Sequence, residues 1–164
     1  MPETDEFKFI ADENVGRLAR LLRLLGFDTT FFRDGDDSRM VNLALIEKRI
    51  ILTRDSHIRE RRLVTGGRVR SLLILSDLRL EQLKQVDHEL QLRDKVRPYS
   101  RCLECNRPLQ PVAREEVTQR VPPYVLQTQE YYVECPQCRR VYWKGTHWKA
   151  MNRELAEIDI GVDQ

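Results

Sequence analysis

The segment FKFIADENVGRLARLLRLLGFDTTFF, residues 7–32, decides the fold, because two short apolar stretches flank an amphipathic one. Its ends, FKFIA (7–11) and FDTTFF (27–32), are rich in aromatic and β-branched residues and predict two strands. Between them four leucines, beginning at Leu18, recur at i, i+3, i+4 and i+7, and Gly26 follows them. This spacing predicts a helix that ends at a glycine C-cap.

The same alternation of strand and helix patterns continues beyond this segment. RIILT (49–53) and SLLIL (71–75) predict two more strands, and residues 36–46 and 78–92 have the periodicity of helices. Alternating strands and helices are typical of a three-layer α/β domain, in which helices cover both faces of a parallel, Rossmann-like sheet. We place this domain at residues 1–98.

Acidic residues follow these strands at one end of the predicted sheet, where parallel sheets bind their ligands. Two carboxylates about 5 Å apart repel each other by roughly 3 kcal/mol at an effective dielectric constant of about 20. A cluster of acids therefore indicates a bound cation, a shared proton or an arginine partner. Carboxylate oxygens favour Mg²⁺ or Mn²⁺, which activate water for attack on a phosphodiester. The candidate acids are Asp12 with its neighbour Glu13, Asp37, Asp55 and Asp77.

Two other interpretations of these acids are open from the residues alone. Each aspartate taken singly is also a favourable helix N-cap, and Asp37 stands where the second helix begins. The set also fits a phosphoacceptor receiver domain, which additionally needs a Ser or Thr and a lysine after later strands. Ser76 follows the fourth strand, but the next lysine, Lys84, falls inside the predicted helix. We therefore rank a receiver domain below a metal site.

The composition excludes several classes of protein. The chain of 164 residues has a formal net charge of +2, with 41% hydrophobic and 33% charged residues, which is typical of a globular protein and not of a low-complexity one. No apolar run approaches the roughly 18 residues of a membrane span, and the acidic N-terminus does not resemble a secretory signal. We therefore expect a soluble, cytoplasmic protein with no membrane partner.

Arginines outnumber lysines by 22 to 6, which favours contacts with phosphate, although genomic base composition explains the excess equally well. Arg17 and Arg20 share one stripe of the first helix, and Arg54 directly precedes Asp55. These three arginines are the candidate phosphate-binding residues around the acids, where they would neutralise RNA charge. Ordinary ion pairs on a solvated surface are the alternative.

All four cysteines lie after residue 100, in two C-x-x-C pairs separated by 29 residues. Without a secretory signal this spacing predicts a structural zinc site with four thiolates, and unrelated thiol pairs or a redox motif are the alternatives. VTQRVPPYV (117–125) and EYYVE (130–134) predict the strands of a small zinc ribbon at residues 99–164. Zinc binding, at about 10–16 kcal/mol, would supply most of the folding free energy of so small a segment. The predicted ligands are Cys102, Cys105, Cys135 and Cys138.

The segment YWKGTHW (142–148) combines aromatic rings with basic side chains, as surfaces that bind single-stranded RNA do. Trp143, Lys144 and His147 are therefore candidate RNA contacts. Packing of the tryptophans in a core is the alternative. Because four thiols are already present, we do not expect His147 to be a metal ligand.

Four motifs of this chain resemble the PIN-like ribonuclease family named after the C-terminal part of the Mut-seven exonuclease. The resemblance extends from about Phe7 to Arg153, which is nearly the whole chain. The motifs are DENVGRLARLLRLLGFDT (12–29), DDSRMVNLALIEKRIILTRD (36–55), RCLECN (101–106) and CPQCRRVYWKGTHW (135–148).

This resemblance implies a PIN-like nuclease domain followed by a zinc ribbon, and an RNA substrate. It implies that Asp12, Asp37 and Asp55 are catalytic ligands of Mg²⁺ or Mn²⁺, with Asp77 as a fourth acid. The implied reaction is hydrolysis of a phosphodiester to 5′-phosphate and 3′-hydroxyl ends. A noncatalytic module that binds RNA or the ribosome through its zinc ribbon is the alternative, and the oligomeric state stays open.

Overall fold

The computed structural model describes residues 7–160, and the chain divides into two compact units. Of the described residues, the first unit contains residues 7–23 together with Phe27–Lys95. The second unit contains Leu24–Gly26 and residues 96–160. The first unit holds a parallel sheet, and the second holds the four cysteines.

Four strands that all run in the same direction form the sheet of the first unit, as the alternating pattern predicts. They are β1 (Lys8–Ala11), β2 (Asp28–Phe31), β3 (Ile50–Thr53) and β4 (Ser71–Leu73). Their order across the sheet is β2-β1-β3-β4, so the chain leaves β1 towards one side and returns to the other side after β2. The boundary between β1 and β3 is therefore the topological switch point, where ligands bind in open α/β sheets.

Helices and short 3-10 turns connect these strands. The helices are α1 (Gly16–Leu24), α2 (Asp37–Glu47), α3 (Arg62–Thr65) and α4 (Arg79–Leu90), and the 3-10 turns are Glu13–Val15, Ser56–Glu60 and Arg93–Lys95. Helix α1 ends as the sequence predicts. Gly26 has a φ of +95°, and the N–H of Phe27 donates to the carbonyl of Leu22 at 2.9 Å.

The core of the first unit shows that helices cover both faces of the sheet. On one face Ile10 and Ile51 lie in a hydrophobic cluster with residues of α2. Thr30 pairs with Ile10 in the register, so its neighbour Phe31 points to the opposite face. There the ring of Phe31 packs against α1 so closely that a Cβ at Gly16 would lie 2.9 Å from Phe31 Cζ. The predicted three-layer arrangement therefore matches the placement of α1 and α2.

The second unit combines a small antiparallel sheet with three helices. Its strands are β5 (Gln110–Val112), β6 (Tyr132–Glu134) and β7 (Val141–Tyr142), in the order β5-β6-β7, and its helices are α5 (Arg114–Val117), α6 (Pro123–Thr128) and α7 (Thr146–Glu157). The strand expected in EYYVE (130–134) is confirmed by β6.

The strand expected in VTQRVPPYV (117–125) is wrong, because Val117 ends α5, residues 118–122 form the connection, and Pro123 begins α6. Its three valines, which recur every four residues from Val117, lie in α5, in this connection and in α6. All three are buried with Tyr132 in a hydrophobic cluster. Pro123 is the first residue of α6, where the missing N–H of proline costs no hydrogen bond.

Candidate active site and metal centre

Two carboxylates, Asp12 and Asp55, follow the strands on either side of the switch point, and we call them the acid pair. Asp12 comes directly after β1, and Asp55 comes two residues after β3. The hydroxyl of Thr53, which is fully buried, donates to Asp12 Oδ2 at 2.9 Å. The same hydroxyl accepts from the backbone N–H of Asp55 at 3.0 Å. One threonine thus orients both acids.

Each member of the acid pair also begins a 3-10 turn. Asp12 Oδ1 accepts from the N–H of Glu13 at 2.7 Å, and Asp55 Oδ1 accepts from the N–H of His57 at 2.9 Å. The interpretation of Asp12 and Asp55 as caps is therefore correct. Both side chains are half-buried, and no lysine or arginine in residues 7–160 forms an ion pair with either one.

Asp37 has a different environment from the acid pair. The expectation that it caps α2 is wrong, because Asp36 is the N-cap and accepts from the N–H of Arg39 at 3.1 Å. Asp37 is instead the first residue of α2, and its Oδ2 lies 3.3 Å from Nη2 of Arg61. The guanidinium of Arg61 also donates to Ser38 at 3.2 Å. An arginine thus already balances the charge of Asp37.

Asp77 is exposed and lies beyond the end of β4, in a turn where Ser76 Oγ accepts from the N–H of Leu78 at 3.1 Å. No hydrogen bond or ion pair of the described residues joins Asp37 or Asp77 to the acid pair. Within residues 7–160 no three carboxylate or imidazole groups meet as a cluster of metal ligands. The structure thus links Asp12 to Asp55, and the roles of all four acids stay predictions.

The three candidate arginines are exposed. Arg17 and Arg20 lie on α1, and Arg54 lies between the strand β3 and Asp55. Arg23 of the same helix stripe is held by the fold, since its Nε donates to the carbonyl of Thr29 at 2.9 Å. The sequence could not show that Arg61 pairs with Asp37, because the two are 24 residues apart and share no motif.

The four cysteines form one group in the second unit, which we call the cysteine cluster. Their sulfur atoms all lie within 4.8 Å of one another, and the Cys102 and Cys138 sulfurs are 3.8 Å apart. Four thiols this close can bind a metal such as zinc. Among the described residues 7–160, the cysteine cluster is the one group of three or more Cys, His, Asp or Glu side chains that lie close enough to hold a metal ion.

The two C-x-x-C segments fold into the same turn. The N–H of Asn106 donates to the carbonyl of Cys102 at 3.0 Å, and the N–H of Arg139 donates to the carbonyl of Cys135 at 2.9 Å. Asn106 has a φ of 60° and Arg139 a φ of 64°, so both residues are left-handed. Asn tolerates this conformation, whereas Arg139 adopts it at a cost that glycine would avoid.

Tyr142, the first residue of the aromatic segment, contacts the cysteine cluster, which the motif did not indicate. Its hydroxyl accepts from the N–H of Leu103 at 3.2 Å and lies 3.2 Å from the Cys102 sulfur, to which it can donate. Burial opposes ionisation of Cys102, but the Tyr142 hydroxyl and the N–H groups of Cys105 and Glu104 lower its pKa to about 7. The thiolate is the form that binds metal, so Tyr142 favours metal binding.

Two of the other thiols, Cys105 and Cys135, resist ionisation. A hydrogen bond to Cys138, burial and the charge of Cys102 raise the pKa of Cys105 to about 12. Burial also raises the pKa of Cys135. Sulfur atoms this close cannot all become thiolates without a cation among them, so the cluster has the chemistry of a metal site.

A buried carboxylate supports the second C-x-x-C turn. Glu134 precedes Cys135 and is only 5% exposed. It pairs with Arg120 at 2.9 Å and with Arg139 at 3.1 Å, and Arg120 also donates to the carbonyl of Arg139. These contacts hold the left-handed residue of the turn in place.

The aromatic segment after β7 is divided between core and surface. Trp143 packs against the valine cluster of the second unit, and its carbonyl accepts from the hydroxyl of Tyr99 at 2.8 Å. Trp148 is buried against the Tyr99 ring, with ring centroids 4.7 Å apart. Lys144 and His147 are exposed. The packing alternative thus accounts for both tryptophans, and Lys144 and His147 are available for contacts.

The fold and its sites define an α/β protein with two carboxylates at the switch point of a parallel sheet and a second unit with a four-thiol candidate metal site. The model of the Mut7-C RNAse domain family matches residues 7–155, so the chain belongs to this family, as the motifs indicated. Membership points to a ribonuclease-type function and implies an RNA substrate. Comparisons with curated proteins and with solved structures give no match. No helix of residues 7–160 has the length and hydropathy needed to cross a membrane.

Proposed function

We propose that the chain is a metal-dependent ribonuclease, with a PIN-like nuclease domain at residues 1–98 and a zinc ribbon at residues 99–164. The observation that carries this proposal is the acid pair at the switch point, joined by the buried hydroxyl of Thr53. In a chain of a ribonuclease family, carboxylates at this position are the groups expected to carry the reaction.

The donor chemistry of the acid pair fits a divalent cation. Both carboxylates are half-buried, carry no arginine or lysine partner in residues 7–160, and offer the oxygen ligands that Mg²⁺ and Mn²⁺ prefer. Asp12 and Asp55 would hold the ion, with Asp37 and Asp77 as further acids of the same edge. A cation held there would supply charge neutralisation for the phosphate and would lower the pKa of a bound water.

The other residues of the proposed site position the two acids or bind the RNA strand. Thr53 fixes the side chain of Asp12 and the backbone of Asp55, so both acids are positioned before substrate arrives. The exposed guanidinium groups of Arg17, Arg20 and Arg54 would bind phosphates of the RNA strand. In the reaction water attacks the phosphorus, the bond to the 3′ oxygen breaks, and 5′-phosphate and 3′-hydroxyl ends remain.

The cysteine cluster has a structural role in this proposal. Four thiolates would complete a tetrahedral zinc site with no open position for a substrate. In the second unit, the exposed side chains of Lys144 and His147 and the partly exposed ring of Trp143 would contact RNA.

The test is cleavage of end-labelled single-stranded RNA by the full chain with Mn²⁺, with Mg²⁺ and without added metal. We expect metal-dependent cleavage that falls at least about 100-fold in the double variant Asp12→Asn/Asp55→Asn, because carboxylate ligands of the ion are lost. Asp94→Asn, an exposed acid in the 3-10 turn Arg93–Lys95, is the matched control and should cleave normally.

Equal cleavage by the double variant and the unaltered chain would refute the proposal. If neither cleaves and both still retard RNA on a native gel, the chain is a noncatalytic RNA-binding module. This alternative is favoured by one observation, that both members of the acid pair serve as caps of 3-10 turns.

A further inference from the structure

A groove on the second unit brings an exposed aromatic ring together with two cationic side chains. Its volume is about 540 Å³, inside the range of roughly 300–1,000 Å³ typical of small-ligand sites. It is formed by the start of α5, the end of α6, the connection to β6, and Lys144 after β7. The groove is thus shared by several elements of one compact unit.

The charges of the groove favour an anionic ligand. Arg114 and Lys144 are both exposed, and neither forms an ion pair with a carboxylate of residues 7–160. The guanidinium of Arg114 donates to the carbonyl of Leu126, which fixes its position and leaves further N–H donors. Lys144 Nζ lies 5.9 Å from the centre of the Tyr99 ring. One carboxylate, Glu130, lines the groove with these two cations.

The aromatic ring of the groove is exposed although its neighbour in sequence is buried. Tyr131 is 61% exposed, whereas Tyr132 is 1% exposed in the valine cluster. The polar residues Gln127, Thr128 and Gln129 line the same groove. An exposed ring, amide and hydroxyl groups and two cations are the groups that hold a nucleotide of a single strand.

The geometry points to a subsite for single-stranded RNA in this groove, in which a base stacks on Tyr131 and Arg114 and Lys144 bind the adjoining phosphates. The ligand of this subsite is a flexible, single-stranded polyribonucleotide. This inference rests on the proposed function, because it gives the ribonuclease a strand-binding subsite apart from the acid pair.

The first experiment measures binding without cleavage. Fluorescence anisotropy measures how tightly the full chain carrying Asp55→Asn binds a fluorescein-labelled oligouridylate of twelve nucleotides. No Mg²⁺ or Mn²⁺ is added. We expect Tyr131→Ala to raise Kd about tenfold or more, and Tyr131→Phe to leave it within about twofold, because stacking needs the ring and not the hydroxyl. Tyr124→Ala removes a ring that is 66% exposed but does not line the groove, and it should bind normally.

The second experiment tests the phosphate contacts through salt. The dependence of log Kd on log salt should lose about 0.7 from its slope in Lys144→Gln, and a similar amount in Arg114→Gln, since each removes one phosphate contact with a single strand. Lys149→Gln, an exposed lysine of α7 outside the groove, should keep the full slope. Far-ultraviolet circular dichroism of each variant shows whether the fold is retained.

The outcomes separate this inference from the proposed function. Normal binding by folded Tyr131→Ala and Lys144→Gln chains would overturn the subsite, even if the unaltered chain cleaves RNA through the acid pair. Weakened binding by these variants supports the subsite, even if no chain cleaves, and the protein is then a binding module. Equal loss in Tyr124→Ala and Tyr131→Ala would also overturn it, because the groove would have no special role.

Discussion

The geometry of the cysteine cluster depends mostly on local hydrogen bonds, whereas that of the acid pair depends on tertiary structure. Each C-x-x-C turn is fixed by hydrogen bonds within six residues, such as that from Asn106 to Cys102, and the fold then only has to bring two equal turns together. The acid pair has no such local unit. Asp12 and Asp55 are related by a threonine hydroxyl that is 41 residues from Asp12 along the chain.

This difference teaches what each site does for the molecule. The cysteine cluster lies in a small unit, and in our proposal a metal there stabilises this unit, so we expect its loss to lower stability. The acid pair is supported by a complete sheet and leaves half-buried charge without a cationic partner in residues 7–160. Its loss should be felt in activity.

The largest effect is expected at the cysteine cluster. Cys135→Ser, or removal of zinc by a strong chelator, should unfold the second unit, because structural zinc sites contribute about 10–16 kcal/mol to folding. Hydrogen exchange followed by mass spectrometry should show loss of protection in residues 110–157 and retained protection in β1 and β3. Gln119→Ala, an exposed residue between α5 and α6, is the control. Undiminished protection in Cys135→Ser would show that metal does not stabilise this unit.

The second effect is expected in activity alone. Asp55→Asn should lower cleavage about 100-fold or more, because an amide is a poor ligand for the ion, while the free energy of unfolding changes by less than about 1 kcal/mol. Stability is preserved because the amide oxygen of Asn still accepts from the N–H of His57. Urea unfolding and the cleavage assay are measured on the same preparation. A large loss of stability with unchanged cleavage would reverse the contrast between the two sites.

The third effect tests the link within the acid pair. Thr53→Val removes the hydroxyl that donates to Asp12 and accepts from Asp55, at nearly the same volume. We expect about 1 kcal/mol of lost stability from the unsatisfied, half-buried N–H of Asp55, and cleavage reduced about tenfold at saturating RNA. Thr53→Ser keeps the hydroxyl and should recover most of the cleavage. If serine and valine behave alike, the hydroxyl does not orient the acids.

The smallest effect is expected at Tyr142. Tyr142→Phe removes the hydroxyl that contacts the Cys102 sulfur and the N–H of Leu103, and it leaves the four sulfurs in place. Loss of a hydrogen bond to a metal ligand weakens metal binding by roughly 10–100-fold, and we expect only about tenfold here, because the N–H groups of Cys105 and Glu104 still contact Cys102. Competition with a chromophoric zinc chelator measures the affinity, and Tyr124→Phe serves as an exposed control. An unchanged zinc affinity would mean that the hydroxyl only fills space.

Local sequence predicted those parts of the molecule whose structure depends on near neighbours. The alternation of apolar patterns predicted the four strands of the parallel sheet, and Gly26 predicted the end of α1, where its φ of +95° favours glycine. The pairs of cysteines predicted a cluster, because two thiols on one tight turn leave little freedom. Where two local patterns competed, prediction failed. In residues 117–125 β-branched residues suggested a strand, but the stretch instead ends α5, turns, and begins α6 at Pro123.

Tertiary structure decided the rest. The sequence placed several acids at one edge of the sheet, but only the strand order β2-β1-β3-β4 puts Asp12 and Asp55 after adjacent strands. Likewise, Arg61 pairs with Asp37 from an element that the chain reaches 24 residues later. By itself, the sequence determined the strands of the parallel sheet, the end of α1 and the thiol pairs, since these follow from steric and hydrogen-bonding preferences of a few consecutive residues. Which charges become partners was decided only by the packed sheet, because Coulomb interactions depend on distance in space and not on separation along the chain.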